Sequence, residues 1–294
     1  MSESPTRWPA PAKLNLFLQI TGRRADGYHL LQTVFQLLDW GDEIAFRERA
    51  DGQILRRQGS EQTPAEADLT VRAARLLQAE SGCRKGADLW VEKRIPLGGG
   101  FGGGSSDAAT VLCVLNELWG CGLDEQALAA LGLRLGADVP LFVRGRSAWA
   151  EGVGELLVPM ALPERWFVLI DSGVQLSTAE LFQAPELTRN AQALKMEDFA
   201  FDRVGRNAFA VPARVRSPRL ASLLDALAER APGGLTGSGG GCFAMVETRA
   251  QAEALAAELA QFGRCYVAKG VERSPLHAQI ERLRRAGTAL RAGA

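Results

Sequence analysis

The run Lys93-Arg-Ile-Pro-Leu-Gly-Gly-Gly-Phe-Gly-Gly-Gly-Ser-Ser-Asp107 constrains this chain more than any other stretch. In it, glycines interrupted only by Phe101 join a strand pattern to a helix pattern. Before it, Leu89 and Val91 alternate with Asp88, Trp90 and Glu92, which predicts a short strand from Ala87 to Ile95. Pro96 ends its pairing. After it, Ala108, Val111, Leu112, Leu115, Leu118 and Trp119 recur at helical spacing, so a helix begins near Ser105 or Ser106, and either serine can cap it. Glycines remove the side chains that keep an anion away from a helix N-terminus, where unpaired N–H groups and the helix dipole attract it. The loop is expected to hold a phosphate. The serine hydroxyls can add hydrogen bonds or a ligand to magnesium. Asp107 is either a further metal ligand or a carboxylate favoured by the positive end of the helix.

Two familiar phosphate loops are excluded. A P-loop needs Lys and then Ser or Thr after its last glycine, whereas Gly104 is followed by two serines. Gly98, Gly100 and Gly103 satisfy the dinucleotide pattern G-x-G-x-x-G, as any glycine run does, but no second strand ending in an acid follows. Instead, Asp124 and Glu125 open a helical pattern through Leu128, Leu131 and Leu135. At 294 residues the chain is long enough for two packed units, and its formal net charge of zero points away from nucleic acid or a membrane surface as partner. Its five scattered cysteines include no C-x-x-C pair, which favours reduced thiols over a disulfide or zinc framework. The first residues lack the apolar core of a signal peptide, and no apolar run approaches the ~20 residues of a membrane span. A cytoplasmic protein is expected.

Along the chain, Leu14, Leu16, Leu18 and Ile20 share one face of a strand while Lys13, Asn15, Phe17 and Gln19 share the other. From the residues alone, Lys13 and Asn15 fit the edge of a half-solvated strand. Asp42 to Arg57 suggests a hairpin, Gln58 to Ala67 a polar loop, and Asp68 to Gln78 a helix. Leu141-Phe-Val reads as the start of a strand, and Gly145 to Pro159 as a transition between units. A fresh strand opens at Trp166, a helix cap falls at Ser177 or Thr178, and Pro218 to Ala231 reads as an amphipathic helix. Leu235 to Phe243 forms a second glycine loop, which is either a phosphate or substrate clamp or a tight turn packed on the first loop. A helix from Ala250 to Phe262, a strand from Cys265 to Gly270 and a short basic helix ending in disorder close the chain.

Five segments together resemble the GHMP kinases, which transfer phosphate from ATP to small alcohols. They are Pro11-Ala-Lys-Leu-Asn-Leu-Phe-Leu18, Gly22-Arg-Arg-Ala-Asp-Gly-Tyr-His29, Pro96-Leu-Gly-Gly-Gly-Phe-Gly-Gly-Gly-Ser-Ser106, Leu135-Gly-Ala-Asp-Val-Pro140 and Leu235-Thr-Gly-Ser-Gly239. The likeness runs from about Trp8 to His277 and is strongest to the branch acting on a cytidylated methylerythritol in non-mevalonate isoprenoid synthesis. It implies a two-domain α+β fold, divided here into residues 1–158 and 159–294, with ATP and substrate meeting at the domain cleft. By the same resemblance, Asp138 is the general base for the substrate 2-hydroxyl and Lys13 assists it. Pro96, Leu97, Gly98, Gly99, Gly100, Phe101, Gly102, Gly103, Gly104, Ser105 and Ser106 form the ATP loop, with Ser106 as the magnesium ligand. Asn15, Tyr28, His29, Thr178 and Phe182 match substrate contacts, with the rings against cytosine. Asp68 departs from an Asn common in the family, so a nucleotide contact is not carried onto it. A kinase for another small alcohol and a nucleotide- or RNA-binding module without catalysis are the competing expectations.

Overall fold

The protein, represented by a computed structural model, is described over residues 5–292, with side chains described as far as Arg285. Its frame is a long antiparallel pair, β1 (Thr6–Arg23) and β2 (His29–Arg49), closed by a turn in which Gly27 takes a positive φ of 92°. Three register shifts interrupt the pairing, at Pro11/Lys13, Asn15/Phe17 and Ile20/Gly22. They break the strict alternation read from the sequence, since each extra residue turns the following side chains to a new face. Leu14, Leu16 and Phe17 consequently share one apolar cluster, and Leu18 and Ile20 belong to another.

Next come β3 (Ile54–Gln58), α1 (Leu69–Ser81) and β4 (Gly86–Glu92). The expected hairpin over Asp42 to Arg57 does not form. β3 pairs with β4 in parallel, and β4 itself pairs antiparallel with β2, so β4 is inserted between the two segments. Sequence adjacency lost to the β–α–β crossover, which packs α1 against the first core. The chain continues through α2 (Gly103–Trp119), α3 (Glu125–Leu133) and α4 (Val139–Arg144). Leu141-Phe-Val is thus helical, a correction to its strand reading. An apolar run of that length is ambiguous by period, and Pro140 in the first turn favours helix. The hairpin β5 (Ala148–Glu151) and β6 (Leu156–Pro159) returns to pair with β2.

The remainder comprises β7 (Trp166–Asp171), α5 (Thr178–Gln183), α6 (Ala210–Arg216), α7 (Pro218–Ala228), β8 (Gly233–Leu235), β9 (Gly241–Val246), α8 (Arg249–Leu259), β10 (Arg264–Val271) and α9 (Pro275–Ala292). The last helix is longer than the short one expected, and the expected disordered end beyond it lies outside the described residues. The main sheet path runs β3-β4-β2-β10-β7-β9-β8.

One apolar core lies under α1 to α4, and a second lies between α5 to α8 and the later strands. A third joins them, packing Leu14, Phe17 and Phe101 against Phe167 and Phe243. Each fully buried Phe or Leu there contributes about 1.5–3 kcal/mol over leaving it in water, so the two halves are held by continuous packing. Leu276 and Ile280 of α9 sit in the first core, returning the chain end to the N-terminal half. Among the described residues no helix is long and apolar enough to cross a membrane.

Candidate active site

The first glycine loop links the end of β4 to α2. Helix α2 starts at Gly103 with Gly102 as its N-cap at φ 78°, and no side chain caps it. Ser105 and Ser106 therefore lie inside the first turns instead of capping the helix, as the sequence had suggested. The amides at the start of α2 have no intrahelical acceptor and no capping side chain, which is the arrangement that attracts an anion. Phe101, the one large residue in the run, is an anchor. Its ring is buried in the joining core, and a Cβ on Gly99 or Gly241 would approach the ring to 2.7 or 2.6 Å. Its carbonyl accepts from Lys13 N at 3.0 Å. The second glycine loop packs directly on the first, with Gly241 N donating to Gly99 O at 3.1 Å. A Cβ on Gly100, at φ 79°, would fall 2.2 Å from Thr236 O.

These loops wall a cavity of about 480 Å³ lined by Gly98, Gly100, Gly102, Gly103, Gly104 and Ser105 on one side. Pro96, Leu97, Gly99, Phe101 and Ser106 do not line it. Leu97 is exposed, and Ser106 is fully buried with an Oγ that has no hydrogen-bond partner. Asp107 is also buried, and its Oδ2 accepts from Lys93 Nζ at 2.7 Å.

Across the cavity stand Lys13 and Asp138. The sequence reading of Lys13 as a half-solvated edge residue is overturned, because it is 3% exposed. Its ammonium donates to Asn15 Oδ1 at 2.6 Å, pairs with Asp138 Oδ2 at 3.2 Å and lies 5.2 Å from the Phe35 ring centre. A buried ammonium needs such partners. Asn15 is fixed in turn, its Nδ2 donating to Thr33 Oγ1 at 2.8 Å and its backbone N to Thr236 Oγ1 at 2.9 Å. Asp138 occupies the N-cap position of α4 without capping it, so its carboxylate is left to Lys13 and the cavity.

A larger cavity of about 850 Å³ adjoins, and Leu31, Ala137, Val153 and Phe182 line both. Here His29 stacks on Phe182 with ring centres 4.6 Å apart, and Tyr28 is 65% exposed at the wall. Burial and then the nearby Arg23 and Arg189 cations hold the His29 imidazole below its ordinary pKa. Its Nε2 is buried without a partner. Thr178, one helical turn before Phe182 on α5, does not line this larger cavity. It lines the glycine-loop cavity, where its hydroxyl meets Ser238 Oγ at 2.7 Å.

Sequence reasoning missed the residues that hold these groups. Thr33 and Thr236 brace Asn15, and Asn207 Nδ2 donates to Leu235 O and Gly237 O, both at 2.9 Å, fixing the second loop. Arg189 donates to Leu187 O, Phe182 O and Ala184 O behind the stacked ring. No local signal marks Thr33, Thr236 or Asn207, which brace groups 18 to 221 residues away, and Arg189 braces nearby carbonyls that no periodicity points to. Asp68 serves α1, accepting from Thr70 N and Oγ1 and pairing with Arg56 at 2.5 Å.

The family model of the GHMP kinases N terminal domain matches residues 68–146, and that of the GHMP kinases C terminal matches residues 190–265. A protein of Xanthomonas oryzae pv. oryzae named 4-diphosphocytidyl-2-C-methyl-D-erythritol kinase is 59% identical over 270 residues, covering 92% of each chain. A crystal structure of 4-(cytidine 5'-diphospho)-2C-methyl-D-erythritol kinase is 34% identical, with TM-score 0.78, covering 90% of this chain and 99% of that one. A homoserine kinase from Cytophaga hutchinsonii, at 15% identity and TM-score 0.70 over 92% and 96% of the two chains, shares the fold. Identity of this extent over nearly the whole length, together with both matching domains, places the chain in the GHMP kinase family, among the 4-diphosphocytidyl-2-C-methyl-D-erythritol kinases.

Proposed function

We propose that the protein phosphorylates the 2-hydroxyl of 4-diphosphocytidyl-2-C-methyl-D-erythritol with ATP, giving the 2-phosphate and ADP. The observation that carries this reading is the continuity of the two cavities. A glycine-walled chamber holding the Lys13–Asp138 pair opens into a ring-lined chamber of the right kind for a pyrimidine. In this reading the bare start of α2 binds the nucleotide phosphates, and Tyr28, His29 and Phe182 hold the base by stacking. Asn15 and Thr178 orient the alcohol near the loops.

Asp138 takes the proton as the hydroxyl oxygen attacks the terminal phosphorus, and Lys13 stabilises the charge that develops between them. Phosphoryl transfer asks chiefly for alignment and charge neutralisation, which a cation fixed by three neighbours provides. The Ser106 oxygen, buried and unpaired, suits a hard cation, as does the Ser105 hydroxyl at the chamber wall. Among the described residues there is no group of three or more His, Cys, Asp or Glu that could hold a metal, and the ligand set in this reading is the Ser106 or the Ser105 hydroxyl completed by phosphate oxygens and water. Magnesium bound there would neutralise phosphate charge. The division near Pro159 into two units with the site between them belongs to the same proposal, with α9 crossing back over it.

The test is ADP release coupled to product mass, with ATP, magnesium and a panel of the cytidylated alcohol, mevalonate, homoserine and galactose. Turnover confined to the cytidylated alcohol is expected, and turnover of another alcohol would overturn the pocket assignment. Tyr28→Ala should raise KM for the cytidylated alcohol at least tenfold, about 1.4 kcal/mol, while changing KM for ATP less than twofold. Equal effects on both would remove Tyr28 from the base site.

A further inference from the structure

The base of the first glycine loop holds a charged cluster that the reaction does not use. Lys93, at the exit of β4, reaches under the loop and donates to Asp42 Oδ2 at 2.5 Å and to Asp107 Oδ2 at 2.7 Å. Asp42 also accepts from the Arg94 and Ile95 amides through Oδ1, at 2.5 and 2.8 Å. One end of this bridge therefore grips the backbone where the loop departs. The other end is on α2, one residue after Ser106. The lysine passes close beneath the first residue of that helix, since a Cβ on Gly103 would come within 3.3 Å of Lys93 Nζ and 3.0 Å of Ile95 Cγ2.

Burying three charges costs several kcal/mol per ion before pairing repays it, and apolar packing could close the same gap. Here the repayment is incomplete. Two carboxylates share one ammonium, and Asp107 Oδ1 is buried with no partner. Burial alone would lower the Lys93 ammonium, but Asp107 and Asp42 outweigh it and hold it protonated. An arrangement this expensive fixes direction, because the two-ended ammonium sets the separation between the departing strand and the helix start. Apolar contacts are less directional.

We infer that Lys93 is a positioning residue for nucleotide binding, a bridge from Asp42 to Asp107 that presets the span of the glycine loop so that its amides converge on one anion. The inference rests on the reading of this loop as the phosphate site. It predicts that breaking either end loosens nucleotide more than it unfolds the protein.

The experiment is calorimetric titration of the full chain with ADP and magnesium, alongside thermal melting. Lys93→Met and Asp107→Ala should each weaken binding at least tenfold. The double variant should be no weaker than the worse single one, because the two act as one bridge. Asp107→Asn, which keeps an acceptor oxygen for Lys93, should stay within threefold of wild type. Leu77→Ala, a core truncation at the far end of α1, should lower the melting temperature without moving the dissociation constant.

Lys93→Met or Asp107→Ala binding within threefold of wild type would overturn the inference, as would losses that multiply in the double variant. If Lys93→Met does not fold, the contrast between Asp107→Ala and Asp107→Asn decides alone, and equal losses in the two would sink the bridge. Wild-type protein that fails to bind ADP would instead remove the phosphate-loop reading on which the inference depends.

Discussion

Lys13 shows how a single residue changes meaning between sequence and structure. Alternation places it beside Asn15, and nothing local says whether that face is wet or dry. The fold buries it and supplies Asn15 Oδ1 and Asp138 Oδ2, turning a surface-like lysine into a fixed cation. Asp138 has the complementary history: an aspartate near a proline, here Pro140, reads locally as a turn or cap residue, yet it makes no cap and faces the chamber. The residue-scale prediction follows. Asp138→Asn keeps the size and removes the proposed base, so turnover should fall by about 10²- to 10⁴-fold, with ADP affinity within threefold of wild type. Turnover within threefold would remove Asp138 as the base. The pairing was legible only through resemblance, because 124 residues and six intervening helices and strands separate two groups that end 3.2 Å apart.

At the scale of elements, the first glycine loop is two things at once. Its order of strand, glycines and helix was legible, and that order is what supports the proposed phosphate-binding role. Its anchoring was not, since Phe101 reads as an interruption until the joining core is seen around it. The glycines differ accordingly. Gly100 combines positive φ with Thr236 O at 2.2 Å from a built Cβ, so Gly100→Ala carries a left-handed backbone cost of about 1–2 kcal/mol plus a backbone clash. It should lower the melting temperature and abolish saturable ADP binding.

Gly104 is ordinary helix, with its nearest neighbour, Leu69 Cδ1, at 3.4 Å. Gly104→Ala should strengthen α2 by about 0.5–1 kcal/mol while placing a methyl at the chamber wall. The expected pair of results is a raised melting temperature and a raised KM for ATP. A lowered melting temperature together with unchanged KM would contradict both halves. The failed hairpin over Asp42 to Arg57 and the helical Leu141-Phe-Val belong to this scale too, for local pattern offers no view of which strand will lie between two others.

The whole molecule is closed by α9, whose Leu276 and Ile280 enter the first core. His277 sits there with Nε2 2.8 Å from Val143 O. A carbonyl only accepts, so Nε2 donates, leaving Nδ1 unprotonated in the neutral ring and buried without a partner. Burial lowers the imidazole pKa, the Val143 carbonyl and Glu125 oppose, and Arg273 and Arg284 add to the lowering. With the folded pKa below the unfolded value, this site costs nothing above about pH 6.5 and progressively favours unfolding as pH falls below it. The melting temperature should therefore drop between pH 7 and pH 5, and His277→Gln, which can still donate to Val143 O, should flatten that slope. Parallel slopes in the two proteins would exclude His277 as the source.

Sequence alone determined what depends on neighbours along the chain: the glycine loop before a helix, most helix spans, the cap of α5 at Ser177, read as Ser177 or Thr178, and the family motifs. Tertiary structure alone decided the insertion of β4, the burial of Lys13, the meeting of Asp138 with it, the stack of His29 on Phe182 and the return of α9. Each of those depends on free energies of packing and charge pairing between segments far apart in sequence, which period and propensity do not record.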